Sequence, residues 1–270
     1  MKIKIDPWSS EGVKDYKKIM QQFGLKSFDN IIDKLPIKHA YFKRKIIYGH
    51  KDFELILNAI LNKKPFAMLT GLMPSGKFHL GHKVIADQIL YFQELGAKCY
   101  IVSADIEAYL TRNISPKEGY ENAIEEYLLN YIALGLKPKN TFFYFQSRGS
   151  KEYMALSKYI SKRTTLNELK SIYGELTTQK IISVLTQTAD ILYPQIENGP
   201  IPTIVPVGID QLPHINLARD ITSRIKSEYN FILPSATFNK FLPGLNGGKM
   251  SSSKPESYIA LTDPPENIRH

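Results

Sequence analysis

The chain of 270 residues has one cysteine, Cys99, set beside the apolar run Tyr100–Val102. A single thiol cannot make a disulfide framework or a cysteine-based zinc site. The sequence opens MKIKIDPW, without the apolar segment that a secretory signal carries. No apolar run approaches the ~20 residues that cross a bilayer. Repeats and low-complexity tracts are absent as well. What is left is a globular chain, expected in the cytoplasm. It is long enough for one large core, or for a main domain with a smaller addition.

Acidic residues are scarce in the first quarter. Residues 1–65 carry 14 Lys and Arg against 7 Asp and Glu, so they hold +7 of the net +9. Within them, Lys38–Lys51 interleaves Lys43, Arg44 and Lys45 with Tyr41, Phe42 and Tyr48. Cations among rings suit a phosphate backbone with stacked bases. The same composition also suits a solvated cover over a main domain. Upstream, Val13, Tyr16, Ile19, Met20 and Phe23 recur at helical spacing before Gly24. Phe28–Leu35 predicts a second short helix, and Asp52 a cap for a helix over Phe53–Leu61.

The most informative stretch is FAMLTGLMPSGKFHLGHKVIADQILYFQELG, from Phe66 to Gly96. Its pattern predicts a buried strand, a loop containing Gly and Pro, then a helix ended by Gly96. In an open α/β sheet such a turn aims backbone N–H groups and a helix N-terminus at phosphate. Pro74, Ser75 and Gly76 form the loop. His79 and His82 begin the helix and offer imidazole N–H donors. Gly81, between them, leaves room for a nucleotide to pack on the backbone. HxGH alone is a short, unspecific pattern. It gains weight from a glycine-led loop far downstream, Gly247-Gly248-Lys249-Met250-Ser251-Ser252-Ser253-Lys254. That loop offers a cation and hydroxyls for a polyphosphate.

Further strands are predicted at Lys98–Ala104, Thr141–Phe145, Ile201–Val207 and Phe231–Pro234. Strand ends face the ligand crevice in such folds, which makes Glu107, Tyr109, Gly208 and Asp210 pocket candidates. Ser115-Pro116-Lys117-Glu118 opens a helix expected to run to Gly135. Residues 151–192 read as a helical insertion. Gln187 and Asp190 share one of its faces. A carboxylate buried there needs a donor, and a ligand N–H can supply it.

The two loops in this order resemble the HIGH and KMSKS signatures of class I aminoacyl-tRNA synthetases. More closely, the whole chain is similar to archaeal tryptophanyl-tRNA synthetases. The similarity is carried by PWSSEGVKDYKKIMQQFG, TGLMPSGKFHLGH, TADILYP, PVGIDQLPHINLARDI and KMSSSKPESYIALTD. Two positions depart from the pattern. Ser252 stands where KMSKS has its second lysine, so phosphate charge falls to Lys249, with Lys254 near. Leu69 stands where eukaryotic members have a tyrosine, which favours Asp190 and Gln187 as the indole readers.

The resemblance implies a Rossmann-like parallel-sheet catalytic domain over 66–262, with the insertion at 151–192 and a mainly helical extension over 1–65. Residues 263–270 would begin a helical anticodon-binding domain. It implies ATP, carried with Mg2+, L-tryptophan and tRNA(Trp) as ligands, a homodimer, and no resident metal. His79, His82, Lys249, Ser251 and Ser253 would be catalytic. Pro74, Ser75, Gly76, Gly81, Gly208, Asp210, Met250 and Ser252 would bind ATP. Glu107, Gln187, Asp190 and Gln211 would bind tryptophan, with Leu69 and Met73 closing a flat pocket. Tyrosyl-tRNA synthetases share the architecture and the Gln-x-x-Asp pair, but PWSSEG and TADILYP favour tryptophan. A small HxGH nucleotidyltransferase would lack the distant KMSSS loop. A non-catalytic paralogue would have no need of both histidines and Lys249.

Overall fold

The computed structural model describes residue 5, residues 15–252 and residues 254–268. Trp8 and Ser253 lie outside them. The first helix, α1 (Tyr16–Phe23), is capped by Asp15, which accepts from the Lys18 N–H, and is closed by Gly24 at φ 61°. A single 3-10 turn, Ile32–Lys34, replaces the expected second helix, with Ile31 and Leu35 buried on either side. Next come α2 (Ala40–Lys43), β1 (Ile47–Lys51) and α3 (Phe53–Leu61). Asp52 does not cap α3 with its side chain. His50 Nδ1 accepts the Phe53 N–H instead, at 3.2 Å, while the Asp52 carboxylate takes Arg219 at 2.5 Å.

The main body runs β2 (Ala67–Leu72), α4 (Leu80–Glu94), β3 (Lys98–Ser103), α5 (Asp105–Arg112), α6 (Pro116–Asn122), α7 (Leu129–Ala133) and β4 (Thr141–Phe145). A π-helical turn, Ala123–Leu128, joins α6 to α7. The insertion is α8 (Lys151–Ser161), α9 (Leu166–Tyr173) and α10 (Thr178–Asn198). α10 runs past its expected end at residue 192 and carries Pro194 inside it. Then follow β5 (Thr203–Gly208), α11 (Leu212–Arg224), β6 (Ser235–Asn239) and α12 (Pro265–Ile268).

The strand expected at Phe231–Pro234 lies just after it, in β6. In the preceding coil, side chains replace strand partners. Gln195 pairs with both backbone groups of Ile232, at 2.7 and 2.8 Å, and Arg219 donates to the Pro234 carbonyl at 2.6 Å.

The strands form one sheet in the order β1-β6-β5-β2-β3-β4. All neighbours are parallel except β1 with β6. The α/β parallel-sheet expectation is borne out. The boundary expected at residue 65 cuts through this sheet, because β1 lies on its N-terminal side. Alternation along the strands feeds two cores. Met68, Cys99 and Ile101 face α3, α4 and α7, while Ala67, Leu69 and Tyr100 face α1, α10 and α11. The insertion buries Tyr153, Leu156, Tyr173 and Leu192 against Leu217 and Ile221 of α11. From β2 the chain builds outward to β3 and β4, then returns to the other side for β5 and β6. That reversal between β2 and β5 opens a crevice at the strand carboxyl ends.

Candidate active site

A cavity of about 660 Å³ occupies that crevice, within the usual range for small-molecule sites. The fold assembles it from both signature loops and from α10. Ser75, Gly76, His79, Gly81 and His82 line one side, and Lys249, Met250, Ser251 and Ser252 line the side facing them. Glu107, Gln187, Asp190, Gly208, Asp210 and Gln211 complete the wall, with Leu69 and Met73 among the apolar lining. Pro74 is not part of it. It is buried, and its carbonyl accepts from Asn122. Tyr109 points to solvent, 58 % exposed. On a helix, residues two apart face different ways, so Glu107 enters the cavity and Tyr109 does not.

The histidines are locked in one protonation state. His79 caps α4, and its Nδ1 accepts the Gly81 N–H at 3.1 Å. His82 Nδ1 accepts the His79 N–H at 3.2 Å. With both Nδ1 atoms accepting, each neutral ring carries its proton on Nε2. The rings stack at 3.8 Å between centroids. Burial, then the nearby Lys249 charge, brings His79 down to about 4. Burial, His79 and Lys249 hold His82 well below the ordinary imidazole range. The pair therefore presents neutral Nε2–H hydrogen-bond donors. A Cβ at Gly81 would stand 2.8 Å from the His79 ring. The space expected for a nucleotide is thus filled by that imidazole, and glycine is needed so that it can cap the helix.

Gly208 is revised in the same way. A Cβ there would meet the Asp210 carboxylate at 2.5 Å and the Phe241 ring at 2.7 Å. Those two groups hold Lys249. Its Nζ lies 2.8 Å from Asp210 Oδ2 and 4.5 Å from the Phe241 ring centroid. The KMSSS loop is pinned from below by buried Ser257, whose hydroxyl accepts the Ser251 N–H and donates to the Lys254 carbonyl.

The amino-acid end differs from expectation. Asp190 needs no ligand to satisfy it, since Tyr153, Tyr144 and Gln146 all donate to its carboxylate. Gln187 donates to Gln211 at 2.9 Å. Burial raises Glu107 above the usual carboxylate range, against a Ser183 hydrogen bond. Gln146, Arg112, His214, Asn239 and Phe241 also line the cavity and were not singled out from the sequence. Gln146 directly follows β4, so the strand-end rule applies to it too. Among the described residues, no group of three or more His, Cys, Asp or Glu is placed to hold a metal ion.

Burial brings His214 down to about 4, opposed by Asp210. Its folded value lies below its unfolded one, so only the unfolded chain takes the proton between about pH 4 and 6.5. Stability should therefore rise with pH across that window. Relative to His214→Gln, the wild type should lose about 2 kcal/mol more between pH 7 and pH 5. Urea unfolding at the two pH values measures this, and equal losses would show that His214 does not titrate in this way.

This site, at the crevice of a parallel sheet between an HxGH helix and a KMSSS loop, has the layout of an amino-acid-activating synthetase. Residues 61–270 match the class I tRNA synthetases for tryptophan and tyrosine, and the chain belongs to that family. The tryptophan–tRNA ligase of Methanocaldococcus jannaschii is 46 % identical over 99 % of this chain and 74 % of its own. That of Aeropyrum pernix is 44 % identical over 99 % and 73 %. The crystal structure of the Aeropyrum pernix tryptophanyl-tRNA synthetase matches 98 % of this chain and 74 % of its own with a TM-score of 0.90. The Encephalitozoon cuniculi tryptophanyl-tRNA synthetase bound to tryptophan matches 96 % and 75 %, with 29 % identity and a TM-score of 0.83. Within the family, this chain stands with the archaeal tryptophan–tRNA ligases.

Proposed function

We infer that this chain joins L-tryptophan to tRNA(Trp) in two steps inside the one cavity. The tryptophan carboxylate attacks the α-phosphorus of ATP and pyrophosphate leaves. The aminoacyl group then passes to a hydroxyl of the terminal adenosine of tRNA, and AMP leaves. The nucleophile is already ionised, so the protein needs no strong base. Its work is positioning and charge stabilisation.

His79 and His82 give Nε2–H donors to phosphate oxygens, and Ser75, Ser251 and Ser252 add hydroxyls. Asp210 accepts from the ribose, Glu107 faces the tryptophan ammonium, and Asp190 accepts the indole N–H. Ser253 belongs to the same loop by sequence. Mg2+ would come with ATP and offset phosphate charge, while these donors would bind phosphate oxygens. The observation that carries the reading is the meeting of both signature loops with Asp190 in one cavity. ATP–pyrophosphate exchange dependent on tryptophan and not on tyrosine tests it. Exchange driven equally by tyrosine would overturn the specificity.

Exposed Leu129 and Ile132 on α7 and Phe142 on edge strand β4 support a homodimer seated there. A cytoplasmic location fits translation, and among the described residues no helix is long and apolar enough to cross a membrane.

The basic segment divides in the structure. Phe42 and Tyr48 are core, whereas Lys43, Arg44 and Lys45 are exposed. Lys45 lies 3.4 Å from Asp29 with both side chains mostly in solvent, a contact of little energetic weight. We place the three cations on the tRNA backbone. Replacing all three by alanine should weaken tRNA binding and reduce the salt slope by up to about 2–3. Filter binding between 50 and 300 mM salt checks this, and an unchanged slope would leave the run as surface.

A further inference from the structure

Asp190 is 3 % exposed and is held from two other segments. The Tyr153 hydroxyl donates to Oδ1 at 2.7 Å, and Tyr144 to the same oxygen at 3.3 Å. Gln146 Nε2 donates to Oδ2 at 2.7 Å. Gln146 cannot turn round. Its Oε1 accepts the Glu107 backbone N–H at 3.3 Å, so its nitrogen must face the carboxylate. Gln146 is itself 1 % exposed, and Tyr153 likewise.

A carboxylate has about four acceptor positions. Three are filled, and the open one is on Oδ2, in a residue that lines the cavity. We propose that Gln146 and Tyr153 are positioning residues for amino-acid selection, holding Asp190 as an acceptor-only carboxylate with one acceptor position toward the substrate ring. This rests on Asp190 being the partner of the indole N–H. Indole presents one donor and no acceptor, and the arrangement matches it. A phenol can donate to the same position, but an ionised carboxylate returns no hydrogen to its lone pairs, and the Tyr153 hydrogen and one Gln146 amide hydrogen are already given to Asp190. A buried acceptor left unpaired disfavours tyrosine. Discrimination thus comes from the polarity of the site as well as from its shape.

Burial brings Asp190 up to about 7. The Tyr153, Gln146 and Tyr144 hydrogen bonds pull in the other direction, and Glu107 adds to the rise. The titratable and charged groups around it are Tyr144 on β4, Tyr153 on α8, Tyr193 on α10 itself, and Glu107 with Asp105 and Arg112 on α5. His214 of α11 lines the same cavity as a neutral ring. Losing one donor makes the ionised carboxylate harder to keep, so protonation moves to higher pH.

The experiment is tryptophan-dependent ATP–pyrophosphate exchange from pH 5.5 to 9 on the full chain, for wild type, Tyr153→Phe, Gln146→Leu and Asp190→Asn. Wild-type kcat/KM for tryptophan should fall on the acid side of about pH 7. In Tyr153→Phe and Gln146→Leu that limb should move up by about one pH unit, and the preference for tryptophan over tyrosine should drop about tenfold. The KM for ATP should stay put. Thermal melts check folding, and Tyr153→Phe, which removes a single oxygen, carries the test if Gln146→Leu does not fold. An unmoved limb with unchanged preference overturns the positioning role. If the limb persists in Asp190→Asn, it does not belong to Asp190, and the indole assignment beneath the proposal falls instead.

Discussion

Replacing Lys249 by alanine should slow tryptophan activation by about 30- to 1000-fold, on the order of 2–4 kcal/mol in the transition state. Tryptophan binding should hardly change. The size follows from how few cations the loop offers. Ser252 occupies the position of the second lysine, and Lys254 is exposed. Lys249 alone lines the cavity from this loop as a cation. Here it lies on Asp210 and over Phe241. In the mechanism we propose, ribose hydroxyls take Asp210, and the ammonium loses its partner just as the triphosphate arrives. Its charge is then used on the departing pyrophosphate, a contact strongest when the bond is breaking. Single-turnover adenylate formation and equilibrium dialysis of labelled tryptophan separate rate from affinity. A rate within threefold of wild type would remove the loop from the chemistry.

Asp190→Ala should reduce kcat/KM for tryptophan by about 10- to 150-fold, the worth of a buried hydrogen bond to a charged acceptor, ~1.5–3 kcal/mol. ATP use should be nearly unaffected. Stability should respond in a way that identifies the group. The folded-state value of about 7 lies above the ordinary 3.8. The folded protein alone therefore holds that proton between about pH 4 and 7, and wild-type stability should fall as pH rises through this window. Asp190→Ala lacks that fall, while it strands the Tyr144, Tyr153 and Gln146 donors at every pH. The variant should thus be weakest relative to wild type near pH 4–5, with the gap narrowing by pH 8. Denaturant titrations across that range measure the gap. A constant gap would mean that Asp190 does not titrate between those limits, and unchanged tryptophan kinetics would move indole recognition to Glu107 or Gln211.

What could be read in the sequence was local. The first strand–loop–helix, the histidine pair and the KMSSS loop each sit within a few residues, and their chemistry is stated by residue type. The donors of Asp190 could not be read this way. They come from the end of β4 and from α8, and only the fold brings them onto α10. β1 was hidden because IYGHK has neither clean alternation nor an apolar run; its glycine and histidine are buried by neighbours. β6 was displaced by the more apolar Phe231–Pro234, although SATFN, all of it buried, makes the strand. Small residues suit a strand covered on both faces. Gly81 and Gly208 were correctly marked as close approaches, yet the group that approaches is a side chain of the protein in each case.

The antiparallel edge has a consequence for how the molecule comes into being. Among the named strands β1 pairs with β6, with one bridge from His50 to Lys26 on its other edge, and the Ser235 hydroxyl reaches the Asp52 carbonyl across 183 residues of sequence. During synthesis the β1–α3 segment is made well before its sheet partner β6. Contacts of such long range form slowly. Until β6 arrives, β1 has an open edge and α3 lacks part of its cover, an arrangement prone to wrong pairing. The exposed cations Lys43, Arg44 and Lys45 stand directly before β1. Charge beside a waiting edge keeps other chains away, so the run we place on the tRNA backbone would also guard the unfinished chain.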